Sequence, residues 1–177
     1  SDEFTNPLKR RKMVEKRARK FQRVAEDVSP PVLEGPKDAE VTLVGWGSTC
    51  GVIAEAVELL RDERITANHL PVKWIVPFHA DVIADILSRA SRVIVVENNY
   101  SGQFARYLRS ETGIAADGHI RKYDGEPFQP HHIVDGVLAQ MAGGSKQYVP
   151  QHEIMVSQGD ESWPQEQFPM SSPLICR

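Results

Sequence analysis

The spacing of hydrophobic positions divides the chain into three stretches. From Asn6-Pro7 to Asp27, Val14, Ala18, Phe21 and Ala25 fall on one helical face, and Lys and Arg cover the others. Pro7 suits the first turn of a helix, and Ser29-Pro30-Pro31 ends it. A short extended linker, 32–36, follows. From 38 to 142 the period switches repeatedly between strand-like and helical. Residues 41–46 (VTLVGW) form a β-branched, apolar run that reads as a buried strand. Gly47-Ser48-Thr49 makes a turn, and Val52, Ala56, Leu59 and Leu60 then repeat at helical spacing. A second extended stretch, 67–75, leads past Pro77-Phe78 to a helix over 81–89 with Val82, Ile83, Ile86 and Leu87 inward. Residues 92–97 (RVIVVE) are apolar on both faces, as a central parallel strand requires. The turn 98–102, a helix carrying Phe104, Tyr107 and Leu108, a short strand near 119–122 and a helix near 130–141 complete the series.

Strand–helix alternation with short connections predicts an α/β fold: a three-layer, mostly parallel sheet with helices on both faces, preceded by a basic helix. The expected organisation is a basic helical arm and linker over 1–37, the α/β domain over 38–142 and an irregular tail over 143–177. The tail has no sustained period, but Tyr148, Ile154, Met155, Val156, Trp163 and Phe168 argue against a purely solvated segment and for docking on a partner.

Composition narrows the class. The 177 residues suit one domain, with 41% hydrophobic and 25% charged residues. No apolar run approaches the roughly 18–20 residues that cross a bilayer, so no membrane partner is expected. Cys50 and Cys176 lie far apart without a CxxC or Cys/His cluster, which excludes an iron–sulfur cluster or zinc site carried by this chain alone. Two unpaired cysteines also suit a reducing, cytoplasmic setting. The net charge of −3 is unevenly spread: residues 1–29 hold nine Lys/Arg against five Asp/Glu, and the remainder is acidic. Beyond Phe21 the basic stretch lacks aromatics to stack on bases, so a helix packed onto a neighbouring domain is preferred to nucleic-acid binding. The chain opens at Ser1 without an initiator methionine and is expected to be a piece of a longer polypeptide.

Two turns carry candidate chemistry. Gly45-Trp46-Gly47-Ser48-Thr49-Cys50-Gly51 follows a strand and precedes a helix, where backbone N–H groups can hold an anion. A nicotinamide site would need an acid at the end of the next strand, yet no Asp or Glu lies between Ile65 and Ala80, and a tight structural turn is preferred. Glu97-Asn98-Asn99-Tyr100-Ser101-Gly102-Gln103 stands at the carboxyl end of the strongest strand, the usual ligand edge of an open α/β sheet. A capped helix entry and a ligand or interface role are equally compatible with it. His131-His132 point in different directions at a helix start and make a poor metal pair, and His69 and His79 show no partner by spacing. Cys50, without a histidine relay, reads as a packing residue.

In combination, TLVGWGST (42–49), Pro77-Phe78, VIVVENNYSGQ (93–103) and KYDGEPFQP (122–130) resemble the C-terminal part of the alpha subunit of 2-oxoacid:ferredoxin oxidoreductases, closest to the 2-oxoglutarate type. The resemblance implies a transketolase C-terminal-like domain, into which the basic helix leads from a preceding thiamine-enzyme pyrimidine domain. It implies oxidative decarboxylation of a 2-oxoacid with coenzyme A, giving an acyl-CoA, CO2 and reduced ferredoxin. It also implies thiamine diphosphate, magnesium and iron–sulfur clusters in the complete complex, with none expected in this chain. Asn98-Asn99 has no GDG upstream and is not the diphosphate motif. The implied partners are the rest of the alpha subunit and the beta subunit, with ferredoxin and coenzyme A at the level of the complex. No residue qualifies as catalytic or as a metal ligand. The candidate ligand or interface residues are Ser48, Thr49, Asn98, Asn99, Ser101 and Gln103, with Arg106 or Arg121 available to pair a substrate carboxylate. Two alternatives stay open: a stand-alone nucleotide- or anion-binding module, and the equivalent domain of another thiamine-dependent enzyme, such as a 2-oxoacid dehydrogenase beta chain.

Overall fold

The structure, a computed structural model, describes residues 6–151. Helix α1 (Pro7–Asp27) starts where Asn6 accepts hydrogen bonds from the backbone N–H groups of Leu8 and Lys9, with Pro7 in the first turn. It buries none of its residues, and Val14, Phe21 and Val24 stay exposed among the described residues. The expected apolar stripe therefore exists, and nothing described here covers it.

The α/β domain runs β1 (Val41–Trp46), α2 (Thr49–Asp62), β2 (Ala67–Val72), α3 (Ala80–Ser88), β3 (Val93–Glu97), α4 (Gln103–Thr112), β4 (Gly118–Arg121), α5 (Pro130–Met141) and β5 (Gln147–Tyr148). The strands form a five-stranded sheet in the order β2-β1-β3-β4-β5, and every pairing is parallel. Burial on both faces explains why β1 and β3 are apolar throughout. Leu43, Ile94, Val96 and Ile120 meet Ile53, Ala56 and Leu60 of α2 and Ile133 and Val137 of α5 on one face. Val44, Leu70, Val93 and Val95 meet Ile83 and Leu87 of α3 and Phe104 and Leu108 of α4 on the other. The three-layer arrangement follows directly.

Three sequence expectations need correcting. In α2 the buried residues are Thr49, Ile53, Ala56 and Leu60; Ala56 and Leu60 lie inward as read and Val52 is half-buried against the core, but Leu59 is exposed and Ile53 takes the inward place beside Gly45. Strand β2 stops at Val72 instead of reaching 75. The α/β domain does not end at 142: Gln147–Tyr148 adds a parallel edge strand beside His119 and Ile120, and Tyr148 packs on the core. A two-residue strand leaves too short a pattern to be seen in sequence. The tail residues Ile154, Met155, Val156, Trp163 and Phe168 lie outside the described residues.

The linker is tied down as well. Glu34 makes an antiparallel bridge with His69 on the outer side of β2, and the Asn68 side-chain amide donates to the Pro36 carbonyl at 2.9 Å. Pro71 is tolerated in β2 because that side of the strand is an edge.

Candidate functional site

All five strands run the same way, so their carboxyl ends and the turns that follow share one edge of the sheet. The β1–α2 and β3–α4 turns are neighbours there, and the rings of Trp46 and Phe104 lie 6.0 Å apart.

The β1–α2 turn is closed by its own side chain. Thr49 is buried, accepts from the Trp46 N–H at 3.1 Å and donates to the Trp46 carbonyl at 2.9 Å. Gly45 is required here, since a Cβ would sit 2.2 Å from Ile53 Cδ1 and 2.7 Å from Thr49 Oγ1. Ser48 stands exposed and makes no capping bond. Burial pushes the Cys50 thiol up; Glu34 adds to that shift and Lys73 opposes it. A shift in that direction disfavours the thiolate, so this environment does not activate Cys50 as a nucleophile.

The β3–α4 turn is closed by a carboxylate. Residues 93, 95 and 97 alternate onto the face covered by α4, which brings Glu97, fully buried, to the start of that helix. Its Oε2 accepts from Phe104 N at 2.8 Å and from the Asn99 amide at 2.6 Å, and Oε1 accepts from Ala105 N at 3.3 Å. Asn99 Oδ1 in turn accepts from Gly102 N at 2.7 Å and Gln103 N at 3.1 Å. The positive end of the α4 dipole, where a phosphate or carboxylate ligand would bind, is therefore already satisfied from within. Gly102 takes a left-handed backbone (φ 67°), and a Cβ there would lie 2.4 Å from Arg121 Nη2.

Arg121 is aligned with Glu97 across the sheet. It donates to the Tyr100 carbonyl at 3.3 Å and to Gln147 Oε1 at 3.1 Å. Burial lowers its pKa, with Glu97 acting the other way. Next along the chain, Lys122 is buried and donates to Asp124 at 2.6 Å; that bond holds the Asp124 carboxyl below its ordinary range. Lys122 and Asp124 thus neutralise each other, whereas Arg121 gives its hydrogen bonds to neutral oxygens.

The six candidates thus divide. Thr49 and Asn99 point inward and build the turns, whereas Ser48, Asn98 and Gln103 are exposed and Ser101 is half-buried. Glu97 is the residue whose role the sequence left unassigned; its signal was the strand alternation, which puts a charged residue on a buried face. Contrary to the expectation that they diverge, His131 and His132 bring their rings to 4.3 Å between centroids, but His132 Nδ1 accepts from Gln129 N at 3.0 Å as part of a helix cap; His69 is buried elsewhere, its pKa lowered by burial and partly restored by Glu34. Among the described residues no group of three or more His, Cys, Asp and Glu side chains could hold a metal ion.

Fold and edge together define a transketolase-like α/β domain with internally filled turns. A split-gene transketolase aligns with it at a TM-score of 0.51 and 16% identity, over 65% of this chain and 44% of that one, a likeness of fold alone. The chain belongs to the family described as pyruvate:ferredoxin oxidoreductase core domain II, whose model matches residues 39–133. It is similar to subunit alpha of 2-oxoacid:ferredoxin oxidoreductase 2 from Aeropyrum pernix, 36% identical over 150 residues, which cover 83% of this chain and 23% of that subunit. It is also similar to 2-oxoglutarate:ferredoxin oxidoreductase from Magnetococcus marinus, solved with 2-oxoglutarate, coenzyme A and succinyl-CoA bound: TM-score 0.68, 29% identity, 77% of this chain and 24% of that one. The chain spans about a quarter of the length of these two relatives.

Proposed function

We propose that this chain is the C-terminal assembly and substrate-proximal domain of the alpha subunit of a 2-oxoacid:ferredoxin oxidoreductase of the 2-oxoglutarate type. The complete enzyme would oxidise and decarboxylate a 2-oxoacid: the bond to the carboxylate carbon breaks to release CO2, the acyl group passes to the coenzyme A thiol, and the electron pair leaves to ferredoxin. The observation that carries this reading is the 77% coverage of the chain by the 2-oxoglutarate:ferredoxin oxidoreductase fold at a TM-score of 0.68. The beta subunit, the rest of the alpha subunit, ferredoxin and coenzyme A are the proposed partners, in the cytoplasm. No described helix is long and apolar enough to cross a membrane.

Thiamine diphosphate, magnesium and iron–sulfur clusters belong, in this reading, to other parts of the complex. The residues described here do not fit them: Cys50 is a lone thiol, and the anion seat of α4 holds Glu97. No reaction step is therefore derived through this chain. Its own residues hold a rigid edge, with the exposed amides and hydroxyls of Ser48, Asn98, Ser101 and Gln103 presented to a neighbouring domain or to polar groups of a bound substrate. The filled seat also weighs against a stand-alone anion-binding module. Anaerobic ferredoxin reduction by the complete complex, dependent on both 2-oxoglutarate and coenzyme A, tests the proposal. Turnover by the 177-residue chain alone, or acyl transfer to a lipoyl group by the complex, would refute it.

A further inference from the structure

Across the sheet, each of the four principal strands delivers an exposed aromatic to the same edge. Trp46 ends β1 and is 40% exposed; Trp74 follows β2 at 48%, Tyr100 follows β3 at 63%, and Tyr123 follows β4 at 42%. In sheet order they read Trp74, Trp46, Tyr100, Tyr123. At a strand spacing of about 4.8 Å the row is roughly 14 Å long. Tyr100 and Tyr123 already touch edge to face, their ring centroids 5.1 Å apart. Apart from Phe21 of α1, these are the exposed aromatics among the described residues. The amino edge contrasts with this: Ser91, Arg92, Asp117 and Lys146 line a polar cleft there, and Asp117 accepts from the Val93 N–H.

We infer that this aromatic row is a protein-docking surface, and that its occupant is the remaining polypeptide of the alpha subunit. The inference rests on the proposed function and sharpens it. The chemistry of the edge favours a protein over a charged ligand. Glu97 caps α4 and Lys122 is paired with Asp124, so covering the row leaves these two charges satisfied, while Arg121 donates to the Tyr100 carbonyl and Gln147 Oε1 and has Glu97 beside it in register. Beside the exposed polar side chains of Ser48, Asn98 and Gln103, the edge presents Trp and Tyr, the residue types that dominate interface energetics. At the β2 end, Pro30, Pro31 and Trp74, together with Glu34, Lys73 and His79, line a cleft of about 200 Å3, a recess with apolar and charged walls for an anchoring side chain. The occupant follows from length. The chain accounts for 23% of the Aeropyrum alpha subunit, and covalently linked polypeptide is present at about millimolar effective concentration.

Hydroxyl-radical footprinting read by mass spectrometry tests this on three samples: the 177-residue chain, the full-length alpha subunit, and the complete complex. Labelling of Trp46, Trp74, Tyr100 and Tyr123 should fall at least fivefold between the chain and the full-length alpha subunit, with no further fall on adding the beta subunit. Unchanged labelling throughout, or protection gained only with the beta subunit, would overturn the inference. Ferredoxin reduction is measured on the same complex. Exposed aromatics in an active enzyme defeat the docking surface alone, whereas an inactive complex with a protected row defeats the proposed function alone.

Discussion

The two strand-to-helix turns at the carboxyl edge look alike in sequence and are closed by different means. In the β1–α2 turn a neutral hydroxyl, Thr49 Oγ1, satisfies one backbone N–H and one carbonyl, and the small volume of Gly45 lets α2 approach. In the β3–α4 turn a buried carboxylate satisfies two N–H groups at a helix start and an amide besides. The lesson is that a glycine-bearing turn at a ligand edge need not hold a ligand, because a side chain from its own loop can occupy the place. The second closure is also the more demanding. A buried charge stripped of its partners costs more than a buried hydroxyl, although an N–H deprived of its acceptor is penalised in both turns.

That contrast can be broken, and the largest effect is expected at Glu97. Glu97→Ala strands the Phe104 and Ala105 N–H groups and should cost about 3 kcal/mol in chemical denaturation. A loss below about 1 kcal/mol would mean that the carboxylate does not hold the helix. Gly45→Ala should cost about 2 kcal/mol by overpacking. Adding Ile53→Val, which removes the methyl nearest the new Cβ, should recover part of it, and no recovery would place the strain elsewhere. Asn99→Ala deletes the acceptor for Gly102 and Gln103, with an expected cost of about 1 kcal/mol, close to that of losing a helix N-cap.

A pH titration sharpens the same picture on a smaller scale. Burial favours the neutral imidazoles of His69 and His119, so each binds a proton less readily when folded than when unfolded. Their contribution is complete above the ordinary histidine value of about 6.5 and is lost as pH falls below it. Stability should therefore decline as pH falls below about 6.5, and His69→Gln should flatten part of that slope. The smallest effects belong to the outward residues. Ser48→Ala, Asn98→Ala and Gln103→Ala should each change stability by less than about 0.5 kcal/mol. Their consequence, if the proposed function holds, appears in the assembled complex: weaker subunit association on gel filtration or slower ferredoxin reduction.

Element by element, the sequence was legible where the physics is local. Asn6-Pro7 marks a helix start because the cap and the fixed φ act within one turn, and the all-apolar run at 93–96 marks a central strand because both its faces are buried. The inward face of α2 was less legible, since Val52, Ile53, Leu59 and Leu60 are all apolar and only packing shows that Ile53 and Leu60 are fully buried while Leu59 is exposed. At the edge, the six candidates shared polarity and position, but sequence could not say which turned inward. Asn99 turns inward because the N–H groups three and four residues on need an acceptor, and Thr49 because the Trp46 N–H three residues back needs one.

Alternating period and turn chemistry alone determined that this protein is a helix-covered parallel sheet with a basic arm. The tertiary structure decided the order β2-β1-β3-β4-β5, the joining of β5 to the sheet, the burial of Glu97 under α4 and the gathering of Trp74, Trp46, Tyr100 and Tyr123 on one edge. The physical reason is range. Period and capping act over a few residues, whereas strand order and side-chain neighbours depend on segments tens of residues apart, whose meeting only core packing selects.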